Sequence, residues 1–469
     1  MHWRVFNYDL IGIHVWRQTQ TQTVINNFYE EDNNILNPRI NARGDGDGIY
    51  RMEFPVMQWL IAQSYLTPEN HVLITRIWMF FIGLLSAFGM YILLQVLFRN
   101  NTIAAFSAWA FYFSPEIFYY TVNPLPDNFA LCCTIWFLAF FFKWTVNQKK
   151  QHLFLSALFI CIGALAKLPF IIFYIIPVIW LLVKNEGTVG IKIKKSIKTI
   201  LFYFLFSIPV LLWYGWVLNG WMNNPVLTGG FEKENRSLGL YLSYLWHNTA
   251  ITLPEVLINY ASVPMFLVGL VFIFKKRKWN NPAIAAFLIT GLFLMLYFLY
   301  ELNAIHVSHD YYLFPFLPLI FCIVAKGIQI MLEGKLWQRR MVIILIIFMP
   351  FTAYLRMNIR WNEEKPGFNK NLLVYKNELR SLVPEDALCI TGNDDSRFIF
   401  MYYIHKKGWN FNVDRIKSES LKGMIDAGAQ YMFCDSRKID QDTTINKYFE
   451  KQIFTAGDIY VYKLKSPAN

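Results

Sequence analysis

Long apolar runs, separated by short polar and basic clusters, repeat through the middle of this chain. A membrane-crossing helix needs about 20 mostly apolar residues. Ten segments approach that requirement: 73–98, 102–121, 128–146, 153–167, 169–183, 199–218, 256–274, 283–301, 311–332 and 340–356. The two shortest, 153–167 and 169–183, meet at Lys167-Leu168-Pro169, as tight neighbours or as one broken pair. Ahead of these runs the pattern differs. Residues 16–30 place Trp16, Val24, Ile25 and Phe28 on one helical face, with Arg17, Gln18, Gln22 and Asn26 elsewhere. Residues 54–66 are apolar but too short to span, and read as an interfacial helix. A Gly/Asp/Asn stretch, 37–50, lies between. The expectation for 1–72 is two helices lying on the membrane, joined by a flexible loop.

From about residue 370 the periodicity shortens. NLLVYKNELRSL, RFIFMYYIHKK and SLKGMIDAG read as helices, and ALCIT, AQYMFC and DIYVYKL as strands. Alternating strands and helices predict a small α/β domain over 357–469. Cys389 and Cys434 fall on two of its strands, as buried thiols or as a pair.

Composition agrees with this pattern. Of 469 residues 55% are hydrophobic and only 16% charged, against about 25% charged in soluble proteins. That excludes a water-soluble enzyme and a disordered chain. The net charge of +12 raises nucleic acid as a partner, but its distribution argues otherwise. One alternate set of loops, including Lys143, Lys149, Lys150, Lys184, Lys275, Arg277, Lys278, Lys335 and Arg339, carries 17 Lys and Arg. The other set carries three, Lys167, Lys233 and Arg236. Cytoplasmic loops hold the excess of Lys and Arg, so the charge is a topology signal. It puts both 1–72 and 357–469 outside, flanking a transmembrane domain at 73–356.

Ionisable residues beside the apolar runs gather at the outer ends: Arg76, Glu116, Asp127, Lys167, Glu301, His306, His309 and Asp310. None sits at the middle of a run, where a transporter binds its cargo. Chemistry at the outer leaflet on a lipid-bound substrate fits this layout, such as a sugar carried on a polyprenyl phosphate. A lipid-linked-glycan flippase is the rival, and needs a hydrophilic path through the membrane. A non-catalytic scaffold whose tail binds glycan is a third reading.

IGIHVWRQTQTQ, MEFPVMQWLIA, PLPDNFAL, GALAKLPF and HDYYLFPFLP, in that order, resemble the GT-C glycosyltransferases, in the branch of protein mannosyltransferases and aminoarabinose transferases. The resemblance covers roughly 9–330. It implies a polytopic α-helical GT-C-like membrane protein with outer juxtamembrane helices and a small C-terminal extracytoplasmic α/β domain. It also implies an inverting transferase of the bacterial plasma membrane, with a polyprenyl-phosphate sugar as donor and an extracytoplasmic glycan, lipid or protein as acceptor. No cofactor, metal or nucleic acid enters this reading.

Inverting transfer needs a base for the acceptor hydroxyl and cations for the phosphate leaving group. By the resemblance Asp127 matches an acidic family position, with a helix cap as its bland alternative. Glu53, before Phe54-Pro55, is the second carboxylate, and Asp9 a third. The branch usually opens its first outer loop with an Asp-Glu pair, where this chain has His14-Val15-Trp16-Arg17. His14 is therefore a further candidate base. Arg17 offers a planar fork to phosphate, Lys167 a point charge, and His309 and Tyr311 complete the expected phosphate site. Asp45 and Asp47, in a Gly/Asp run, read as a turn rather than a metal motif. Finally, members of the branch carry an apolar helix ahead of the first outer loop. The expectation is that Met1 is internal to a longer natural chain.

Overall fold

The computed structural model describes residues 2–44, 46–67, 71–219, 237–276, 280–307, 309–412 and 416–466. Asp45, Lys233, Arg236, Arg277 and Lys278 lie outside them. The chain forms two compact units. One comprises 52–57 and 76–359; the other comprises 2–51, 58–75 and 360–469.

Two short-range elements come first, α1 (Val15–Glu30) and α2 (Val56–Ala62). The helical series then begins with α3 (His71–Phe98), whose 28 residues reach ~42 Å and cross a ~30 Å hydrocarbon layer with length to spare. Segment 102–121, expected as one span, is instead two helices, α4 (Asn101–Tyr112) and α5 (Pro115–Tyr120). Pro115 lacks an N–H and disfavours helix at the residue before it, so α4 stops at Phe113-Ser114. α6 (Pro126–Asn147) and α7 (Lys150–Ala166) form an antiparallel pair. Lys167 is extended. A tight turn of helix at Leu168–Tyr174, begun by Pro169, leads into α8 (Ile175–Lys184). The segments meeting at Lys167 are thus two short helices joined by a sharp corner.

α9 (Val189–Asn219) is long and carries Pro209. α10 (Leu238–His247) widens into a π-helical stretch, Asn248–Ile258, and then breaks. Asn259 adopts φ 74°, its side chain accepts from the N–H of Ala261, and its amide donates to the carbonyls of Phe113 and Met349. The chain turns by 97° there before α11 (Val263–Lys276). The expected span 256–274 therefore straddles the break, with 256–258 ending the first arm and the rest forming the second. α12 (Pro282–Val307), α13 (Leu317–Glu333) and α14 (Leu336–Asn358) complete this unit. Among the described residues six helices are long and apolar enough to cross a membrane, or seven with the bent pair. Ten segments had that apolar signature in the sequence.

Helices α11 and α13 cross closely. A Cβ on Gly327 would stand 1.7 Å from the carbonyl oxygen of Met265, and one on Gly269 would stand 2.1 Å from that of Ile323. Only glycine permits this approach.

The second unit is built on a five-stranded sheet. In chain order it adds α15 (Lys370–Val374), α16 (Lys376–Ser381), β1 (Leu388–Gly392), α17 (Ile399–Ile404), β2 (Lys407–Phe411), α18 (Ser418–Asp426), β3 (Tyr431–Cys434), α19 (Lys438–Gln441), α20 (Thr443–Asn446), β4 (Phe449–Ala456) and β5 (Ile459–Leu464). The strand order is β2-β1-β3-β5-β4, with β2, β1 and β3 parallel and β5 and β4 antiparallel. Strands β2 and β4 were not expected. Cys434 lies opposite Gly392, three residues along from Cys389, and the two thiols belong to cores on opposite faces of the sheet. Both are free, and burial pushes both up to about 12.

The N-terminal region is part of this unit rather than a pair of surface helices. Leu10 and Val15 join the core that contains Leu379, Phe400 and Tyr403. Gln18, Thr19, Gln20, Thr21, Gln22, Thr23 and Asn27 of α1 are all buried, so the helix has no solvated polar face. Nor is 37–50 a loose loop. Arg39 bridges Ile49, and Ala42 bridges Gly408 in parallel, extending the sheet beyond β2. Gly408, at φ 146°, permits this because a Cβ there would meet the Cys389 carbonyl oxygen at 1.9 Å.

Candidate functional site

The sequence Asn123-Pro124-Leu125-Pro126 delivers Asp127 to the first turn of α6. The residue in cap position is Leu125, so Asp127 does not cap the helix with its carboxylate. Its side chain is 2% exposed and meets the Lys167 ammonium at 3.3 Å; Lys167 is 14% exposed. Burying a charge is costly unless it is paired, and each of these groups supplies the other's partner. The sharp corner after α7 is what places Lys167 there.

Aromatic rings enclose the pair. Lys167 Nζ lies 5.0 Å from the centroid of Tyr312 and 5.7 Å from that of Tyr311, within cation–π range. Both tyrosines lie on a tight helical turn, Asp310–Phe316, that precedes α13. Tyr120, at the end of α5, donates to Asp310 Oδ1 at 2.7 Å, and its ring meets Tyr311 edge-on at 5.9 Å. His309 stacks obliquely on Tyr312 at 4.8 Å. Arg76 is fully buried and donates to the Val122 carbonyl at 2.6 Å and to Asn123 Oδ1 at 2.8 Å, bracing the loop ahead of Asp127.

Glu53 approaches from another part of the chain. The Phe54 N–H donates to the Leu165 carbonyl at 2.9 Å, two residues before Lys167. Trp213 donates to the Met52 carbonyl at 3.0 Å and packs edge-on against Phe54. Asp127, Lys167, His309, Tyr311 and, at their margin, Glu53 are thus gathered in one unit. Glu301 and Tyr297 interact electrostatically with Lys167 and Asp127 respectively. Tyr120, Tyr312 and Tyr297 had no role in the sequence reading. Their signal was an aromatic residue at the end of an apolar run, which is too common in membrane proteins to single them out.

The other three candidates belong to the second unit. Asp9 accepts from the Leu10 N–H at 2.8 Å and the Tyr402 hydroxyl at 3.1 Å, and pairs with Lys376. Burial alone would raise its carboxyl, but attraction to Lys376 and these hydrogen bonds hold it below the usual carboxylate value. These contacts fasten residues 8–10 to the tail. His14 stands at the start of α1 with φ 58°, a left-handed conformation rare for a residue with a side chain. Arg17 is buried and donates to Gln20. Asp47 closes a turn by pairing with Arg39 at 3.3 Å and accepting from the Ile49 N–H. Among the described residues no three His, Cys, Asp or Glu side chains are grouped to hold a metal ion.

The arrangement is that of a polytopic membrane protein with the GT-C fold, carrying a buried carboxylate–ammonium pair at the end of its helices. Residues 53–213, which include Glu53, Asp127 and Lys167, match the profile of the family described as dolichyl-phosphate-mannose-protein mannosyltransferase. No curated protein sequence matches. Among solved structures, ArnT from Cupriavidus metallidurans in the apo state is similar at a TM-score of 0.68 with 12% identity, covering 98% of this chain and 95% of its own. The same protein bound to undecaprenyl phosphate aligns at 0.62 with 12% identity, covering 97% and 94%. AglB from Archaeoglobus fulgidus, an archaeal oligosaccharyltransferase in complex with an inhibitory peptide and a dolichol-phosphate, aligns at 0.58 with 11% identity, covering 94% and 69%. The resemblance read from the sequence, to the mannosyltransferase and ArnT-like branch of GT-C proteins, is the one these similarities bear out.

Proposed function

We propose that this protein is an inverting glycosyltransferase of the bacterial plasma membrane, taking a sugar from a polyprenyl-phosphate carrier and passing it to an extracytoplasmic acceptor. The observation that carries this reading is the buried Asp127–Lys167 pair. The similarity to structures holding undecaprenyl phosphate and dolichol-phosphate supports the class of carrier. The 17-to-3 distribution of Lys and Arg supports a site facing outward.

In this reading the donor phosphate draws Lys167 away from Asp127. The carboxylate is then left as the acceptor for a proton. The acceptor hydroxyl oxygen attacks the anomeric carbon from the face opposite the phosphate. The bond from that carbon to the phosphate oxygen breaks, its electron pair stays on the phosphate, and Asp127 takes the hydroxyl proton. Lys167 stabilises the charge that develops on the leaving phosphate. Tyr311, Tyr312 and His309 wall the site and position the carrier phosphate, while Glu53 stands beside it as a second carboxylate. Asp9 serves as a fastening.

The test is incubation of purified protein with a panel of radiolabelled polyprenyl-phosphate sugars. The expected result is release or transfer of one sugar, abolished by Asp127→Asn with donor binding retained. Near-parental turnover by that variant would remove Asp127 as the base, and no consumption across the panel would remove the function.

A further inference from the structure

Helix α12 packs on α8 and on the turn 310–316, while α11 and α13 cross tightly at Gly269 and Gly327. An apolar cleft of about 870 Å³ opens between α12 and the α11–α13 pair. Leu270, Leu288, Met295, Phe298, Leu319 and Ile323 typify its walls. Its polar residues stand at its two ends. Asn248 and Thr249 mark the end nearer the Asp127–Lys167 pair; Asn281, Lys326 and Gln329 mark the other. Lys326 is the single charged residue in the described lining. Its ammonium lies 4.3 Å from the centroid of Phe272 and donates to Gln329 Oε1 at 2.8 Å. From Leu313 to Gln329 the wall extends for ~24 Å, most of the ~30 Å hydrocarbon thickness. Phe272 lies one turn before the end of α11 at Lys276, and Lys326 lies two turns before the end of α13 at Glu333.

We propose that this cleft is a binding site for an anionic glycerophospholipid, its phosphate on Lys326 and its acyl chains between α12 and the α11–α13 pair. Ionisable groups in a membrane-embedded wall are costly and mark functional sites, and basic pockets between spans bind anionic headgroups. The isoprenoid tail of a carrier would suit the apolar walls equally. Its phosphate, however, would stand at the opposite end, beside Lys167, and Lys326 would then have no part in binding. The site is independent of the transfer reaction, so it stands or falls apart from the proposed activity.

The full chain, purified in mild detergent, is incubated with phosphatidylglycerol or phosphatidylcholine, and lipid retention is read by native mass spectrometry. Phosphatidylglycerol is expected to be retained over phosphatidylcholine. Lys326→Gln should lower that retention about fivefold, the effect of one lysine near a lipid headgroup. Gly291→Phe, filling the cleft with Lys326 intact, should lower retention of both lipids. Equal retention of the two lipids, or no effect of Lys326→Gln, would overturn the proposal. So would displacement of phosphatidylglycerol by an uncharged polyprenol, which would assign the cleft to an isoprenoid tail.

Discussion

Lys167→Met tests the central pair most directly, because it removes the charge and keeps most of the apolar stem. With Nζ 3.3 Å from Asp127 Oδ1, an effective dielectric constant of ~20 gives an attraction of about 5 kcal/mol. Removing one member of a buried pair costs about 3–5 kcal/mol, because the other is left uncompensated. Loss of the cation–π contacts with Tyr311 and Tyr312 adds about 1 kcal/mol. Asp127→Asn is expected to be milder, since the long lysine side chain is 14% exposed and can turn toward solvent. The double variant Asp127→Asn/Lys167→Met leaves no buried charge at the site and should recover at least ~2 kcal/mol relative to the sum of the single variants. Equilibrium unfolding in mixed micelles measures all four corners of the cycle. A coupling energy within about 0.5 kcal/mol of zero would refute the ion pair as the organising contact of the site.

Two further outcomes follow from the geometry. Gly327→Ala drives a Cβ into the Met265 backbone, and should abolish monodisperse protein in size-exclusion chromatography, whereas Gly291→Ala, which meets only Leu319 at 3.5 Å, should not. Glu30 is pushed up to about 7, chiefly by burial against the attraction of Lys407. Its folded form holds a proton that the unfolded chain releases near pH 4.5. Its contribution to stability is therefore full below that value and is lost as pH rises toward 7, with a size cut down by solvent screening at this exposed position. Glu30→Gln should raise the thermal midpoint above pH 7 and leave it unchanged below pH 5; a gain of the same size at both pH values would contradict this.

The sequence by itself determined the membrane class, since nothing but a low-dielectric surround accommodates so many apolar runs with polar residues confined to their ends. It also marked the corners that matter. The prolines at 124, 126 and 169 fix where α6 and the turn after α7 begin, and Asp127 and Lys167 stand next to those corners. Periodicity did not reveal that they face one another, because residues 40 apart in sequence meet only through the packing of α6 on α7. The break at Ser114-Pro115 was concealed by apolar residues on both sides, and the bend at Asn259 by the same continuity. α1 read as a surface helix because its glutamines and threonines are polar; its burial depends on partners from the distant tail, such as Leu379 and Phe400. Strand β2 was hidden because Gly408 weakens strand propensity while allowing the close pairing that holds it. Local sequence sets where helices can start and stop, through side-chain sterics and solvation. Which buried charges become partners depends on the three-dimensional packing, because attraction at 3.3 Å requires only proximity in space.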